Sequence, residues 1–254
     1  MMSNRTLIFV YGLMSYALFV GVFGYTILFI GNIGVSRSLD TVADGDLATA
    51  LLVDLGLLSL FAVQHSVMAR PAFKRLWTRI IPPSAERSTY VLASSLALAA
   101  LVWFWQPLGG IVWQVEDEFA VAVLYAVFVF GWALLFVSTF LINHFDLFGL
   151  RQVWMNLVGK RYEPLGFVTP SLYRHVRHPL YVGMLLGLWA APTMTVAHLV
   201  FALLSTAYIA IGARLEERDL EAALPGYAQY RREVPMFIPR LGNRADTDAP
   251  ASAI

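Results

Sequence analysis

Hydrophobic residues along the chain are gathered into long runs that polar segments separate. Four of these runs are long enough to cross a hydrocarbon layer of about 30 Å as helices. They lie near Leu7–Ile30, Leu47–Met68, Thr89–Trp105 and Ala120–Ile142. The first run is too long for the apolar core of a signal peptide, and no small-residue cleavage site follows it, so we expect it to remain as a helix. The pattern therefore predicts four transmembrane helices within residues 1–142.

A fifth apolar region, Leu180–Ala213, spans about 34 residues, which is too many for one crossing and barely enough for two. Pro192 lies near its middle beside Thr193 and Thr195, and a proline in this position interrupts a helix. The region 180–213 is predicted to be a helical hairpin with its tip at Pro192 and a short first arm of about 13 residues. The sequence does not decide whether this short arm crosses the whole layer.

Composition indicates the same class of protein. Of the 254 residues, 58% are hydrophobic and 14% are charged, whereas a soluble domain is about 25% charged. We therefore predict an all-α integral membrane protein: one membrane domain, 1–254, of four transmembrane helices and a C-terminal helical hairpin, with five to six spans. The net charge of +1 gives no indication of a nucleic-acid partner. The absence of cysteine excludes disulfides, thiolate metal sites and a cysteine nucleophile.

Positive charge is concentrated in segments that should therefore face the cytoplasm. The loop Arg70–Arg87 is rich in arginine and lysine, and the loops before and after it along the chain carry acidic residues. Counting spans from this loop places a connector, 143–179, and a C-terminal segment, 214–241, on the same cytoplasmic side, together with both termini. The last residues, 242–254, are polar and are expected to be disordered.

Two polar clusters flank the hairpin on its cytoplasmic side. The first surrounds Pro179, which is well placed to begin a helix, and the second follows the return arm. Their candidate residues are Tyr173, His175, Arg177, His178 and Tyr181 in the first cluster, and Arg214, Glu216 and Glu217 in the second. Because a hairpin brings its two ends together, cations and carboxylates should face each other, which suits a zwitterionic ligand. The alternatives are lipid-headgroup anchoring by Arg174 and Arg177, and a helix-surface pair such as Arg214 with Glu217.

The order of short motifs in this region resembles a known superfamily. Arg-His-Pro-x-Tyr-x-Gly at 177–183, then Glu-Glu-x-x-Leu, Gly-Tyr-x-x-Tyr and Val-Pro, is similar to the membrane methyltransferases that include isoprenylcysteine carboxyl methyltransferase. The resemblance covers 172–239 and implies that the two clusters enclose S-adenosylmethionine. In the isoprenylcysteine enzymes a longer acidic run precedes the glutamate pair, so the role of Arg214 is transferred less directly.

Two segments in the rest of the chain indicate a branch of this superfamily. Residues 64–70 end the second apolar run and residues 143–152 follow the fourth, and both resemble the bacterial methanethiol S-methyltransferases and the related NnrU-like proteins. The resemblance implies a small thiol acceptor, methanethiol, with dimethyl sulfide as the product, and a place in the bacterial inner membrane. Gln64, His65 and Gln152 are the candidate substrate contacts, although His65 capping a helix end is an alternative.

Methylation of a thiol requires loss of the thiol proton, and an alkyl thiol has a pKa above the value of about 8.5 for cysteine. We predict that His144, oriented by Asp146, accepts this proton and that Arg151 stabilises the thiolate. Because His144 and Asp146 are at i and i+2, their pairing requires the preceding helix to end near Asn143. The alternative is that His144 and Asp146 form a hydrogen bond with a purely structural role. His65, His144 and Asp146 are scattered along the chain and do not predict a metal site.

Other functions stay open from the sequence. The acceptor could be the carboxylate of an isoprenylated cysteine or a lipid, or the chain could be a non-catalytic NnrU-like membrane protein whose histidines serve heme or proton transfer. The sequence does not fix the oligomeric state, and a monomer is the favoured expectation.

Overall fold

The computed structural model describes residues 3–42, 46–166 and 168–239, and helices make up most of it. In chain order its elements are α1 (Asn4–Gly31), α2 (Leu47–Ala69), α3 (Pro71–Trp77), a 3₁₀ turn (Pro83–Ala85), α4 (Glu86–Phe104), β1 (Ile111–Gln114), α5 (Glu118–Ile142), α6 (His144–Leu147), α7 (Leu150–Leu157), a second 3₁₀ turn (Ser171–Arg174), α8 (Pro179–Trp189), β2 (Thr193–Thr195), α9 (Val196–Ala223) and α10 (Tyr227–Glu233). The tail 242–254, predicted to be disordered, lies outside the described residues.

Five of the described helices, α1, α2, α4, α5 and α9, are long and apolar enough to span a membrane. In the most apolar stretch of each, between 11% and 33% of the residues are buried inside the protein, so most of the apolar side chains face outward. An apolar exterior of this extent requires lipid around it rather than water. The prediction of an all-α integral membrane protein with four transmembrane helices and a C-terminal hairpin is confirmed.

Side-chain caps begin four of these five helices. In each case an oxygen of the residue before the helix accepts a hydrogen bond from the backbone amide three residues later. The capping residues are Ser3, Asp46, Asp117 and Thr195. They satisfy amides that the first turn of a helix leaves without a partner, and so they determine where each span begins.

The two arms of the hairpin differ in length. α8 has 11 residues, or about 16 Å at 1.5 Å per residue, so the helix alone covers about half of the hydrocarbon layer. At the tip, β2 pairs antiparallel with β1, with Trp113 opposite Met194, and this joins the hairpin to the loop between α4 and α5. This small sheet was not predicted, because strands of three and four residues are too short to show alternation. The return arm, α9, continues without a break past Ala213 to Ala223.

α8 packs closely against α5 through glycines. A Cβ atom added to Gly183 would collide with the carbonyl oxygen of Gly131 and would lie 2.7 Å from the amide nitrogen of Leu135. A Cβ atom on Gly187 would lie 2.6 Å from the ring of Trp132. The absence of side chains thus lets the two helix backbones touch, as is common between membrane helices. This contact fixes the position of α8 and of the polar residues at its N-terminus.

A buried polar cluster anchors the hairpin tip to the loop that follows α1. Asp40 accepts hydrogen bonds from the amide of Thr195 at 3.0 Å and from the Thr195 hydroxyl at 3.1 Å. The other carboxylate oxygen lies 2.9 Å from Nδ1 of His198, and Nε2 of His198 lies 2.9 Å from the carbonyl oxygen of Leu188. The cluster therefore ties α8 and α9 together at the tip of the hairpin, which is the end opposite to the polar motifs.

Replacement of Gly183 by alanine should destabilise the protein, because the added methyl group meets backbone atoms of α5 that cannot move aside. Overpacking of this kind costs about 1–3 kcal/mol. We expect a lower midpoint of thermal unfolding for the detergent-extracted variant, followed by intrinsic fluorescence. The matched control is Gly24→Ala in α1, where a Cβ atom meets no other atom within 4 Å. Equal midpoints for the two variants would show that the glycine contact does not hold α8.

Candidate functional site

The two polar clusters that flank the hairpin meet at one end of the helix bundle, which we call the site end. Arg177, just before α8, and Glu217, in α9, are 40 residues apart in sequence, yet their side chains are in direct contact. α2 and α5 end at the site end, and α4 begins there. The juxtaposition predicted from the hairpin is therefore present in the structure.

Glu217 is a buried carboxylate enclosed by basic side chains. Its side chain is 2% exposed, and Nε of Arg177 donates to Oε1 at 2.6 Å. Nε2 of His178 lies 3.0 Å from the same oxygen, and Nε of Arg231 lies 3.5 Å from the other. Arg177 also donates to the backbone carbonyls of Arg231 and Val234. The ion pair thus joins the start of α8 to α9 and to the segment around α10.

The neighbouring carboxylate, Glu216, has a different environment. Glu216 is exposed, and its Oε2 accepts a hydrogen bond from the hydroxyl of Tyr181 at 2.8 Å. The ring of Tyr181 stacks on the ring of His178, with 5.2 Å between centroids and 22° between planes. Glu217 is therefore occupied by contacts inside the protein, whereas Glu216 is held in place by Tyr181 with its carboxylate still accessible.

Two tyrosines connect α10 to the 3₁₀ turn that precedes α8. The hydroxyl of Tyr230 donates to the carbonyl oxygen of Tyr173 at 2.6 Å, and the hydroxyl of Tyr173 donates to the backbone carbonyl oxygen of Ser138 at 3.4 Å. Burial raises the pKa of Tyr173, and it raises the pKa of Tyr230 to about 12. Both hydroxyls therefore stay protonated donors at neutral pH. His175 and Arg214, also predicted for this site, are exposed.

His144 follows directly after the end of α5. The helix ends because Asn143 has a left-handed backbone, with φ of 105°, which is the helix end that the predicted pairing required. Nε2 of His144 lies 2.7 Å from the hydroxyl of Tyr16, and Nδ1 lies 2.8 Å from Oγ1 of Thr139. The ring also stacks on Phe140 at 4.2 Å, and it is 4% exposed. His144 is thus enclosed between α5 and α1.

Asp146 turns away from His144. Its Oδ1 accepts from Nη1 of Arg151 at 2.9 Å, and its Oδ2 accepts from the hydroxyl of Tyr162 at 3.2 Å. Burial and the Asp146 carboxylate raise the pKa of Tyr162. The amide of Gln152 donates to the backbone carbonyl of Asp146 at 3.1 Å. The expected pairing of His144 with Asp146 is wrong, because both ring nitrogens of His144 contact other groups, and Asp146 pairs with Arg151 instead.

His65, in α2, belongs to a third group of polar side chains. Its Nε2 lies 2.8 Å from the hydroxyl of Tyr90, and its Nδ1 lies 3.2 Å from Oγ of Ser94. The amide nitrogen of Gln64 donates to the same Oγ at 3.3 Å, and the ring of Phe61 stacks on His65 at 5.3 Å. Sequence reasoning missed Tyr90 and Ser94, and their one signal was a pair of polar positions four residues apart in an apolar run.

Two contacts join α2 to α9 on either side of Glu216. Ser66, next to His65, lies 3.0 Å from the hydroxyl of Tyr208, and Arg70 pairs with Asp219 at 2.8 Å. Along α9, Glu216 lies between these two points of contact. The His65 group is therefore on the side of the bundle that carries Glu216.

Two of the predicted substrate residues have a buried oxygen without a hydrogen-bond partner among the described residues, namely Oε1 of Gln64 and Oε1 of Gln152. A buried acceptor without a partner is costly, so each is available to a donor from outside the protein. Within the described ranges there is no group of three or more His, Cys, Asp or Glu side chains that could hold a metal ion, and His65 and His144 belong to separate groups.

Known proteins resemble the chain over most of its length. No family model and no solved structure matches it. It is 52% identical to methanethiol S-methyltransferase of Crocosphaera subtropica over 95% of each chain. It is 49% identical to methanethiol S-methyltransferase of Mycobacterium tuberculosis, over 93% of this chain and 97% of the relative. Nurim of Rattus norvegicus is 34% identical over 72% of each chain. Similarity of this extent shows that the chain belongs to the methanethiol S-methyltransferase family.

Proposed function

We propose that the protein is an S-adenosylmethionine-dependent methyltransferase that converts methanethiol to dimethyl sulfide at the cytoplasmic face of the bacterial inner membrane. The observation that carries the proposal is the family membership, because relatives named methanethiol S-methyltransferase align with more than nine-tenths of the chain. Positive charge in the loop Arg70–Arg87 supports a cytoplasmic site end and cytoplasmic termini.

The polar residues around α8 and α9 fit the methyl donor. The amino-acid end of S-adenosylmethionine is a zwitterion, and its ribose offers two hydroxyl groups. The site end presents an accessible carboxylate, Glu216, together with exposed basic groups at His175 and Arg214. Opposite charges on separate side chains are what a zwitterion requires.

We assign two different tasks within the predicted cofactor set. Tyr181 and Glu216, with His175 and Arg214, would contact the cofactor directly. The residues that would hold this surface in shape are Tyr173, Arg177, His178 and Glu217. Arg177 and Glu217 satisfy each other inside the protein, so their contribution is to fix the start of α8 against α9.

S-adenosylmethionine supplies a methyl group that is already activated by the sulfonium charge. The protein therefore has to align the thiol with this methyl group, keep water away and accept the thiol proton. The predicted groups for this task are His144, Asp146 and Arg151, with substrate contacts from Gln64, His65 and Gln152. The buried, unpartnered oxygens of Gln64 and Gln152 support a role in contacting a substrate, because a thiol can donate to them.

The proposed reaction is tested with purified protein in liposomes, supplied with S-adenosylmethionine and methanethiol. Dimethyl sulfide in the headspace is the expected product, and gas chromatography measures it. If the protein binds S-adenosylmethionine but releases no dimethyl sulfide, the acceptor is a different molecule. The same vesicles then test an isoprenylated cysteine and a phospholipid amine as acceptors.

Replacement of Glu216 by glutamine should weaken binding of S-adenosylmethionine by at least tenfold, since it removes the accessible carboxylate. A tenfold change corresponds to about 1.4 kcal/mol of binding free energy. Isothermal titration calorimetry on the detergent-extracted protein measures the affinity for S-adenosylmethionine. Because Glu216 is exposed, the variant should unfold at the temperature of the wild type. The matched control is Glu233→Gln in α10, where an exposed glutamate pairs with Gln229. Unchanged affinity in the Glu216 variant would remove this carboxylate from the cofactor site.

A further inference from the structure

Among the described residues, two histidines have an Nε2 atom that lies against a tyrosine hydroxyl. One is His65 with Tyr90, at 2.8 Å, and the other is His144 with Tyr16, at 2.7 Å. Both pairs have the chemistry to move a proton, because a tyrosine hydroxyl can pass its proton to the histidine while it accepts another. Their surroundings decide which pair can reach a thiol beside the cofactor.

The His144 pair lies among aromatic side chains where α1 meets the end of α5. Thr139, which contacts Nδ1 of His144, is on the face of α5 that also carries Trp132 and Phe136, and the rings of these two residues contact Phe23 of α1. Trp132 also lies against Gly187 of α8, so this face of α5 adjoins both α1 and α8. His144 is therefore packed between α1 and α5, among aromatic rings.

The His65 pair is directed toward the proposed cofactor residues. The contacts that join α2 to α9 lie on both sides of Glu216, at Tyr208 about two turns before it and at Asp219 about one turn after it. Tyr90, on α4, contacts His65 of α2, and α2 contacts α9 before and after Glu216. Tyr90 therefore lies on the side of the bundle that carries Glu216.

The partners of His65 are compatible with the tautomer that the relay needs, although the Tyr90 hydroxyl also lies 3.1 Å from Nδ1. Oγ of Ser94 accepts from the amide of Gln64, and it can accept a second hydrogen bond from Nδ1–H of His65. With the proton on Nδ1, Nε2 is free to accept from the hydroxyl of Tyr90. The unpartnered Oε1 of Gln64 lies in the same buried group, where an incoming donor would satisfy it.

We propose that Tyr90 and His65 form the proton relay for the thiol substrate, an inference that rests on the proposed function. The S–H bond breaks and its proton goes to Oη of Tyr90, while the proton of Tyr90 goes to Nε2 of His65. The thiol sulfur forms its new bond to the methyl carbon, and the electron pair of the broken carbon–sulfur bond stays on the sulfur of S-adenosylhomocysteine. The charge lost from the sulfonium reappears on the imidazolium of His65.

Charged and titratable groups from four helices face this pair. They are Arg70 on α2, Arg87 on α4, Tyr181 on α8, and Tyr208, Glu216 and Asp219 on α9. The guanidinium of Arg87 lies 5.8 Å from the centre of the Tyr90 ring, where it favours negative charge on the phenol oxygen. This effect assists transfer of the Tyr90 proton to His65.

The test compares Tyr90→Phe with Tyr16→Phe, since each removes one hydroxyl from one of the two pairs. Tyr90→Phe should lower kcat for methanethiol by about 100-fold at pH 7, within the usual range for loss of general base catalysis. The loss should shrink toward pH 10, because the thiol then ionises without help. It should also shrink at pH 7 with 2,2,2-trifluoroethanethiol, whose fluorine atoms lower the pKa of the thiol. Any loss in Tyr16→Phe should be the same at both pH values and with both thiols.

A second variant and a binding measurement separate the relay from a structural role. His65→Gln should show the same dependence on pH and on the thiol, and the double variant should be no slower than the slower single variant. Affinity for S-adenosylmethionine, measured by calorimetry, should stay at the wild-type value in all of them. If Tyr90→Phe lowers kcat equally at pH 7 and pH 10, the relay is overturned. If kcat of Tyr16→Phe is instead the one that recovers at pH 10, the proton goes to His144. A wild-type protein that binds the cofactor but methylates neither thiol overturns the proposed function itself.

Discussion

Burial of one carboxylate, Glu217, governs the arrangement of the site end. A charged group with 2% of its side chain exposed is tolerated only when opposite charges and hydrogen bonds surround it. Arg177 and His178 provide them, and this requires the start of α8 to lie against the C-terminal part of α9. Because Arg177 also donates to the carbonyls of Arg231 and Val234, the segment around α10 is held by the same contact.

Adjacent glutamates in one helix thereby serve different purposes. Successive positions in a helix point about 100° apart, so when Glu217 faces inward, Glu216 faces out of the bundle toward Tyr181. The accessible carboxylate is then held by a rigid frame, which a ligand site requires. The frame is supported from two further places: the glycine contact between α5 and α8, and the buried Asp40 cluster at the hairpin tip.

The two histidine–tyrosine pairs show how similar local geometry can lead to different roles. The distances from Nε2 to the hydroxyl oxygen differ by a tenth of an ångström between the pairs at His65 and His144. What differs is the neighbouring helix: α1 and its aromatic rings enclose one pair, and α9 with its carboxylates lies beside the other. Proton transfer during a reaction depends on access to the reacting atoms, so the packing of the helices decides which pair is useful.

The sequence by itself determined the class of protein, the positions of the spans, the hairpin with its tip near Pro192, and the motifs that meet at its open end. These are local properties, since hydropathy and proline each act over a few residues. Only the tertiary structure decided that Asp146 pairs with Arg151, that His144 packs against Tyr16, and that Tyr90 reaches His65. Asp146 and Arg151 are only five residues apart, but the turn between α6 and α7 brings them together. The two histidines and their tyrosines lie on different helices, and no spacing along the chain records which faces of two helices pack together.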